Sequence, residues 1–197
     1  AVTRGIAGIG KGLERLVERG KLTGQSCDEL LDRIKPVASL EALADARLVV
    51  EAVVEDLNVK QTLFTGLEKI CSEDTLLASN TSSLSITAIA AALARPQNLA
   101  GMHFFNPAPV MKLVEVVSGV STDQVVAETL FDTAAAWGKQ PVHTNSSPGF
   151  IVNRVARPFY AEALRLLEEG TTDCATIDAI VRESGGFRMG PFELMDL

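Results

Sequence analysis

A histidine and a glutamate stand twelve positions apart in the most informative stretch of the chain, residues 101–117. His103 falls near the end of one predicted strand and Glu115 falls in the next, and Pro107 stiffens the link between them. A carboxylate beside an imidazole fixes the tautomer of the ring, which prepares a histidine for general acid–base catalysis. A histidine that merely ends a buried strand would have the same neighbours, and the pair alone does not separate the two interpretations.

Two further polar stretches are expected to face the same region. The segment 80–83, Asn-Thr-Ser-Ser, follows one predicted strand, so its amide and hydroxyl groups would point into the crevice at the strand ends. Asn153 and Arg154 fall on the first turns of a predicted helix, where an amide and a cation could line a cleft between domains. The alternatives are helix capping by the two serines and a solvated helix face.

The segments that must position these residues alternate between strand and helix. Apolar runs predict strands over residues 48–54, 75–79, 99–105, 113–117 and 140–144, the first of them buried on both faces. Helical spacing and capping signals, with Ser26 and Glu29 as a capping box, predict helices over residues 1–20, 26–34, 56–70, 86–93, 122–137, 150–169 and 175–183. The alternation predicts an α/β fold with a doubly wound parallel sheet, followed by the start of a helical domain.

Composition excludes several classes of function. The 197-residue chain carries a net charge of -7, which argues against nucleic-acid and anionic membrane partners. It has neither an apolar run long enough to span a bilayer nor a signal-peptide pattern. Its three cysteines are too scattered for a disulfide scaffold or a CxxC metal clip, so we predict no metal site and a cytoplasmic location.

Taken together, these stretches resemble the 3-hydroxyacyl-CoA dehydrogenase family, which includes 3-hydroxybutyryl-CoA dehydrogenases. The matching segments span nearly the whole chain and come in the order of the family. They are residues 49–57 (VVEAVVEDL), 78–84 (ASNTSSL), 103–107 (HFFNP), 112–116 (KLVEV), 148–154 (PGFIVNR) and 190–193 (GPFE).

The resemblance implies a role for each matching residue. His103 would take the proton from the 3-hydroxyl group and Glu115 would orient it, while Ser82 would hydrogen-bond the 3-oxygen and Asn153 would reach in from the helical domain. The positions implied for the cofactor NAD are Glu55, Lys60, Asn80 and Asn106, with Lys60 also near coenzyme A.

The resemblance also implies the partners and the organisation of the protein. The expected substrate is an acyl-CoA, oxidised or reduced in fatty-acid or related metabolism, and the expected assembly is a homodimer. The alanine-rich composition, rather than the resemblance, suggests a bacterial source. Residues 1–146 would form the NAD-binding domain, and residues 147–197 would form the helical substrate and dimerisation domain.

One departure from the family is large. The family begins with a strand, a G-x-G-x-x-G turn and a helix, and this chain has no such segment. Gly8, Gly10 and Gly12 have the wrong spacing and follow no predicted strand, so we interpret them as helix glycines tolerated through packing. We therefore predict a fragment of a longer enzyme, with unpaired edges on the strands at 49–54 and 75–79.

Two other functions stay open at this point. The chain could belong to another two-domain hydroxyacid dehydrogenase, although such enzymes commonly use a lysine where this chain has Asn153. It could also be a non-catalytic module that only associates through its helical domain.

Overall fold

The computed structural model describes residues 2–196. Their contacts group into two compact units, Ala1–Asp45 and Ala46–Leu197. Among residues 2–196 no helix is both long and apolar enough to cross a bilayer.

The first unit is built on two helices, α1 (Val2–Glu18) and α2 (Gly24–Asp32). The cap of α2 is Thr23 rather than the predicted Ser26, because the Thr23 hydroxyl accepts the Ser26 N–H at 3.1 Å. The prediction that packing accounts for the glycines of α1 was wrong at Gly8 and Gly12, where a Cβ would meet no atom within 4 Å.

The second unit is organised around a five-stranded sheet with the strand order β1-β2-β3-β4-β5. Helices cover the sheet and continue the chain beyond it, which agrees with the predicted α/β class. The strands are β1 (Leu48–Glu51), β2 (Leu76–Ser79), β3 (Leu99–Phe104), β4 (Leu113–Ser118) and β5 (Gln140–Asn145). The helices are α3 (Leu57–Ile70), α4 (Ile86–Ala90), α5 (Gln124–Ala136), α6 (Val152–Glu168), α7 (Cys174–Glu183) and α8 (Pro191–Met195).

The sheet is mixed rather than wholly parallel. β1, β2 and β3 run parallel, β4 runs antiparallel to β3, and β5 runs parallel to β4. The reversal follows from the link at residues 105–112, because a parallel pair requires a crossover of about a dozen residues or more.

The predicted extent and burial of the first strand were wrong. β1 ends at Glu51, Val50 is partly exposed, and Val53 and Val54 are exposed. Because Val50 is 38% exposed, β1 is not buried on both faces. Among residues 2–196 β1 pairs with β2 only, so its other edge is unpaired, as predicted. The predicted unpaired edge of the second strand was also wrong, since β2 lies between β1 and β3.

The main apolar core lies on the face of the sheet that packs against α5. Met102, Val114, Val116 and Leu130 are fully buried in this cluster. Successive side chains of a strand point to opposite faces. The residues that flank positions 103 and 115 (Met102, Phe104, Val114 and Val116) face this core. His103 and Glu115 therefore both point to the opposite face of the sheet.

Candidate functional site

His103 and Glu115 form a buried pair at the carboxyl end of β3. The antiparallel register places them directly opposite one another, and His103 Nδ1 lies 2.7 Å from Glu115 Oε2. His103 is 4% exposed and Glu115 is 0% exposed. Because a carboxylate only accepts hydrogen bonds, Nδ1 carries a proton, and in the neutral ring this leaves the lone pair on Nε2.

The second oxygen of Glu115 binds the start of α6. Oε1 accepts the backbone N–H groups of Ile151 and Val152, each at 2.9 Å. The chain reaches this position through Gly149 at φ 75° and Phe150 at φ 47°. Both angles are left-handed, which is strained for phenylalanine, so contacts of the surrounding structure must hold the turn. Glu115 thus joins the imidazole to the first turn of α6.

The opposite nitrogen of His103 faces Ser82. Nε2 lies 3.1 Å from Ser82 Oγ, and the Asn153 side chain donates from Nδ2 to the Ser82 carbonyl oxygen at 3.2 Å. The rings of Phe105 and Phe150 pack against the imidazole at centroid distances of 4.6 and 5.6 Å. The four residues predicted as catalytic therefore lie together, and Asn153 is not simply on a solvated helix face.

Glu55 holds the turn that presents Ser82. Its Oε1 accepts the N–H groups of Ser82 and Ser83 at 3.0 and 3.1 Å, and also the hydroxyls of Thr81 and Ser83. The predicted alternative of capping by the two serines was wrong, because Ser85 caps α4. Burial raises the pKa of Glu55, but the hydrogen bonds from Thr81, Ser83, Lys60 and Ser82 outweigh it and bring the pKa down to about 2.

The Glu55 turn predicts a defined dependence of stability on pH. The folded-state pKa, about 2, lies below the ordinary value of 4.5, so the fold favours the ionised carboxyl group. Its stabilising contribution is complete above pH 4.5 and is lost as the pH falls towards 2. Urea unfolding of the wild type and of Glu55→Gln should show a free-energy difference that is constant near neutral pH and shrinks in acid. A difference that stays constant in acid would contradict the assigned interactions of Glu55.

Lys60 is buried in an ion pair beneath this turn. Its side chain is 1% exposed, and Nζ lies 2.6 Å from Glu51 Oε1 and 3.3 Å from Glu55 Oε2. Glu51 also accepts the Val53 N–H at 2.6 Å and the Ser79 hydroxyl at 2.7 Å. The ammonium group therefore contacts two carboxylates of the chain, whereas the prediction from resemblance put it beside the cofactor and coenzyme A; that ligand role stays a prediction.

The sequence reasoning missed Glu51 and Ser79 as members of this cluster. A signal was present, because an acidic residue within a valine-rich strand is rarely buried unless it is paired. The sequence offered no indication of which cation pairs with it, since Lys60 lies on α3 rather than on a neighbouring strand.

Removal of the buried ammonium group should destabilise the fold strongly. Lys60→Met leaves the Glu51 carboxylate buried without its counter-ion. Loss of one partner of a buried ion pair lowers the free energy of unfolding by about 3–5 kcal/mol. The measurement is urea unfolding at neutral pH. Lys69→Met is the matched control, because Lys69 is exposed on the same helix, and its loss should be below about 1 kcal/mol. Equal losses in the two variants would contradict a structural role for the pair.

The two predicted asparagines occupy different positions. Asn80 follows β2, and its Oδ1 accepts the Phe104 N–H at 2.8 Å, so it joins the ends of β2 and β3. Asn106 is exposed in the loop after β3. Their predicted contacts with the cofactor stay predictions.

An open cleft of about 430 Å³ adjoins this group of residues. Ser82 and Asn153 form part of its wall, so the cleft reaches the catalytic candidates. Its lining residues are Ser82, Ser83, Pro148, Gly149, Asn153, Arg154 and Arg157. A molecule in the cleft would contact both the 81–83 turn and the first turns of α6.

Two family models together match nearly the whole chain. Residues 1–147 match the family described as "3-hydroxyacyl-CoA dehydrogenase, NAD binding domain", and residues 149–197 match its C-terminal domain. The first description makes NAD the cofactor of the family.

Individual relatives cover the whole chain. A protein of Escherichia coli K12 named 3-hydroxyadipyl-CoA dehydrogenase is 56% identical over 197 residues, which are 100% of this chain and 42% of that protein. A 3-hydroxybutyryl-CoA dehydrogenase of Clostridioides difficile is 42% identical over 197 residues, 100% of this chain and 70% of its own length. The crystal structure of 3-hydroxybutyryl-CoA dehydrogenase from E. coli K12 superposes with a TM-score of 0.97 at 55% identity, covering 99% of this chain and 41% of that one.

The chain spans less than half the length of the two E. coli relatives. The match nevertheless extends from the sheet through the first helices that follow it, and it includes every residue of the candidate site. The chain belongs to the 3-hydroxyacyl-CoA dehydrogenase family.

Proposed function

We propose that the full-length protein oxidises (S)-3-hydroxyacyl-CoA to 3-oxoacyl-CoA with NAD and catalyses the reverse reaction. The observation that carries the proposal is the series Glu115–His103–Ser82, in which each side chain contacts the next at the wall of a cleft. The same set of residues suits proton transfer at an oxygen atom, which is half of an alcohol dehydrogenation.

In this proposal His103 is the general base. Its Nε2 would accept the proton of the substrate 3-hydroxyl group as the C–O bond becomes a carbonyl, and bound NAD would supply the acceptor for the hydride of C3. Glu115 keeps the proton of the ring on Nδ1, and it also balances the positive charge that the imidazole gains. In the reverse direction His103 returns the proton to the oxygen.

Ser82 and Asn153 orient the substrate oxygen in the proposal. The Ser82 hydroxyl lies 3.1 Å from Nε2 and Ser82 lines the cleft, so this hydroxyl can hydrogen-bond the 3-oxygen beside His103. Asn153 holds the Ser82 backbone and extends from α6 into the same cleft. This arrangement supports catalysis by positioning as well as by proton transfer.

The residues predicted to contact NAD suit the nicotinamide half of the cofactor. Glu55 is 39% exposed and Asn106 is exposed, so a carboxylate and an amide are open to ribose hydroxyl and carboxamide groups. NAD supplies the hydride acceptor, and these side chains together with Asn80 would fix its position. Lys60 would act by holding Glu55 in place.

We further propose that residues 1–146 serve cofactor binding and that residues 147–197 serve substrate binding and homodimer formation. The separate family matches at 1–147 and 149–197 support this division. An acyl-CoA substrate, a cytoplasmic location and a role in fatty-acid or related acyl-CoA metabolism complete the proposal.

The test is an assay of the full-length protein with acetoacetyl-CoA and NADH, in which the loss of NADH absorbance measures the rate of reduction. Turnover with the thioester but not with free acetoacetate or 2-oxo acids supports the proposal and excludes another hydroxyacid dehydrogenase. A protein that turns over the free acids and not the thioester would overturn it, as would a protein without any turnover.

A further inference from the structure

Glu51 is a buried carboxylate that the proposed mechanism does not use. Its side chain is 0% exposed, and its two oxygens bind Lys60, the Ser79 hydroxyl and the Val53 N–H. A buried ion pair adds little net stability, because the desolvation of two charges offsets much of their attraction. The pair is better explained by the arrangement in which it holds its neighbours, and these neighbours lead to the turn that carries Ser82.

Two routes of contact connect Glu51 with this turn. Along the first route, Glu51 Oε2 accepts the Ser79 hydroxyl at 2.7 Å, and Ser79 Oγ accepts the Thr81 N–H at 3.3 Å. Along the second, Lys60 Nζ lies 2.6 Å from Glu51 Oε1 and 3.3 Å from Glu55 Oε2. Glu55 Oε1 then accepts the Thr81 hydroxyl. The two routes meet at Thr81, so these five residues form a closed polar ring.

The polar ring holds the backbone on which Ser82 is mounted. Glu55 Oε1 accepts the N–H groups of Ser82 and Ser83 at 3.0 and 3.1 Å. The Ser82 hydroxyl in turn lies 3.1 Å from His103 Nε2. A shift of the Glu55 carboxylate would therefore move the hydroxyl that faces the imidazole.

We propose that Glu51 is a positioning residue for the dehydrogenation, which keeps the Ser82 hydroxyl in place beside His103. This inference rests on the proposed function. In the wild type two carboxylates share the Lys60 ammonium group. Without the charge of Glu51 the ammonium group keeps Glu55 as its counter-ion and is drawn towards it, which pulls the Glu55 carboxylate away from the N–H groups of the turn.

The alternative is that Glu51 only stabilises the sheet. Glu51 ends β1, and its partner in the register of β2 is Ser79, so their hydrogen bond also joins two strands. A purely structural contact of this kind changes the amount of folded protein and not the turnover of a folded molecule. A positioning residue changes the turnover of a folded molecule, and it does so only while the Ser82 hydroxyl is present.

The experiment is a double-mutant cycle of Glu51→Gln and Ser82→Ala in the full-length protein, with kcat measured at saturating acetoacetyl-CoA and NADH. Glu51→Gln alone should lower kcat about tenfold, the value of one well-placed hydrogen bond, and Ser82→Ala should lower it about tenfold or more. The double variant should have the kcat of Ser82→Ala to within about twofold, because no hydroxyl is left to position. Glu51→Asp keeps the charge and should recover part of the loss.

Glu68→Gln is the matched control. The Glu68 side chain is 8% exposed, and it accepts the N–H groups of Ala94 and Arg95 at 2.9 and 2.8 Å, away from the polar ring. Urea unfolding should show a loss of stability in both Glu68→Gln and Glu51→Gln, since each disturbs a carboxylate with little exposure. The kcat of Glu68→Gln should stay within about twofold of the wild type, because its contacts do not reach Ser82.

Additive losses, with the double variant about tenfold below Ser82→Ala, would overturn the inference. A kcat of Glu51→Gln no lower than that of Glu68→Gln would overturn it as well. If Glu51→Gln does not fold, Ser79→Ala decides in the same cycle, because it removes the hydroxyl between Glu51 Oε2 and the Thr81 N–H. Its kcat should fall about threefold when Ser82 is present and stay unchanged in the Ser82→Ala background, and equal losses in both would contradict the role of the ring.

The same measurements separate this inference from the proposed function. A wild type that does not reduce acetoacetyl-CoA would overturn the proposed function and the role of Glu51 with it. An active wild type with additive losses would overturn only the role of Glu51.

Discussion

His103→Gln is expected to lower kcat of the full-length protein about 10²–10⁴-fold, which is the usual contribution of a general base. Nε2 is the atom of the ring that faces Ser82, and glutamine has no group that takes up a proton at neutral pH. The KM values for NADH and acetoacetyl-CoA should change little, because the proposed role of His103 is proton transfer. Steady-state kinetics in both directions provide the measurement.

His143→Gln is the matched control for this variant. His143 is the other histidine of the chain, and its ring is partly exposed and stacks on Phe131 at a centroid distance of 4.5 Å. It lies on β5, and its side chain contacts Glu128 and Phe131 of α5. The control should retain full turnover, and near-normal turnover in His103→Gln would remove His103 from the mechanism.

Glu115→Gln is expected to lower kcat by a similar factor, about 10²–10⁴, through loss of the correct imidazole tautomer. The carboxylate accepts three hydrogen bonds, one from His103 and two from the start of α6. An amide has one acceptor and one donor end, so either orientation turns an N–H group towards another donor. With the amide nitrogen towards His103, Nδ1 must accept and the proton moves to Nε2, which can then no longer act as a base.

The opposite orientation of the amide would preserve the histidine and disturb α6. The variant should therefore also lose about 1–3 kcal/mol of unfolding free energy, the cost of buried donors without an acceptor. Glu115→Asp keeps the charge and should recover part of the turnover. An unaltered kcat in Glu115→Gln, with a normal KM, would exclude Glu115 as the residue that orients His103.

Much of the fold was predictable because local patterns were clear. The bounds of α3, β3 and β4 agree with prediction to within about two residues, since their apolar spacing and caps are strong signals. The helix at 86–93 was predicted too long and β1 was predicted to continue past Glu51. Both errors concern the residue at which an element ends. Tertiary packing determines that residue, and a run of hydrophobic residues does not indicate it.

The four catalytic candidates were identified from motifs, but their contacts were not. His103 and Glu115 stood out as polar residues within predicted strands, Ser82 in the turn after a strand, and Asn153 on the first turns of a predicted helix. The binding of Glu115 Oε1 to the Ile151 and Val152 amides was not predicted. It depends on a left-handed turn at Gly149 and Phe150, and phenylalanine gives no sign of adopting such a conformation.

The sequence by itself determined the α/β class, the positions of most strands and helices, and the residue types capable of acid–base chemistry, because these depend on periodicity and side-chain chemistry along the chain. Only the tertiary structure decided that β4 reverses and sets Glu115 opposite His103, that Lys60 turns inward to Glu51, and that Arg157 lines the cleft. The physical reason is that strand direction, register and the pairing of buried charges are determined by contacts between segments distant along the chain.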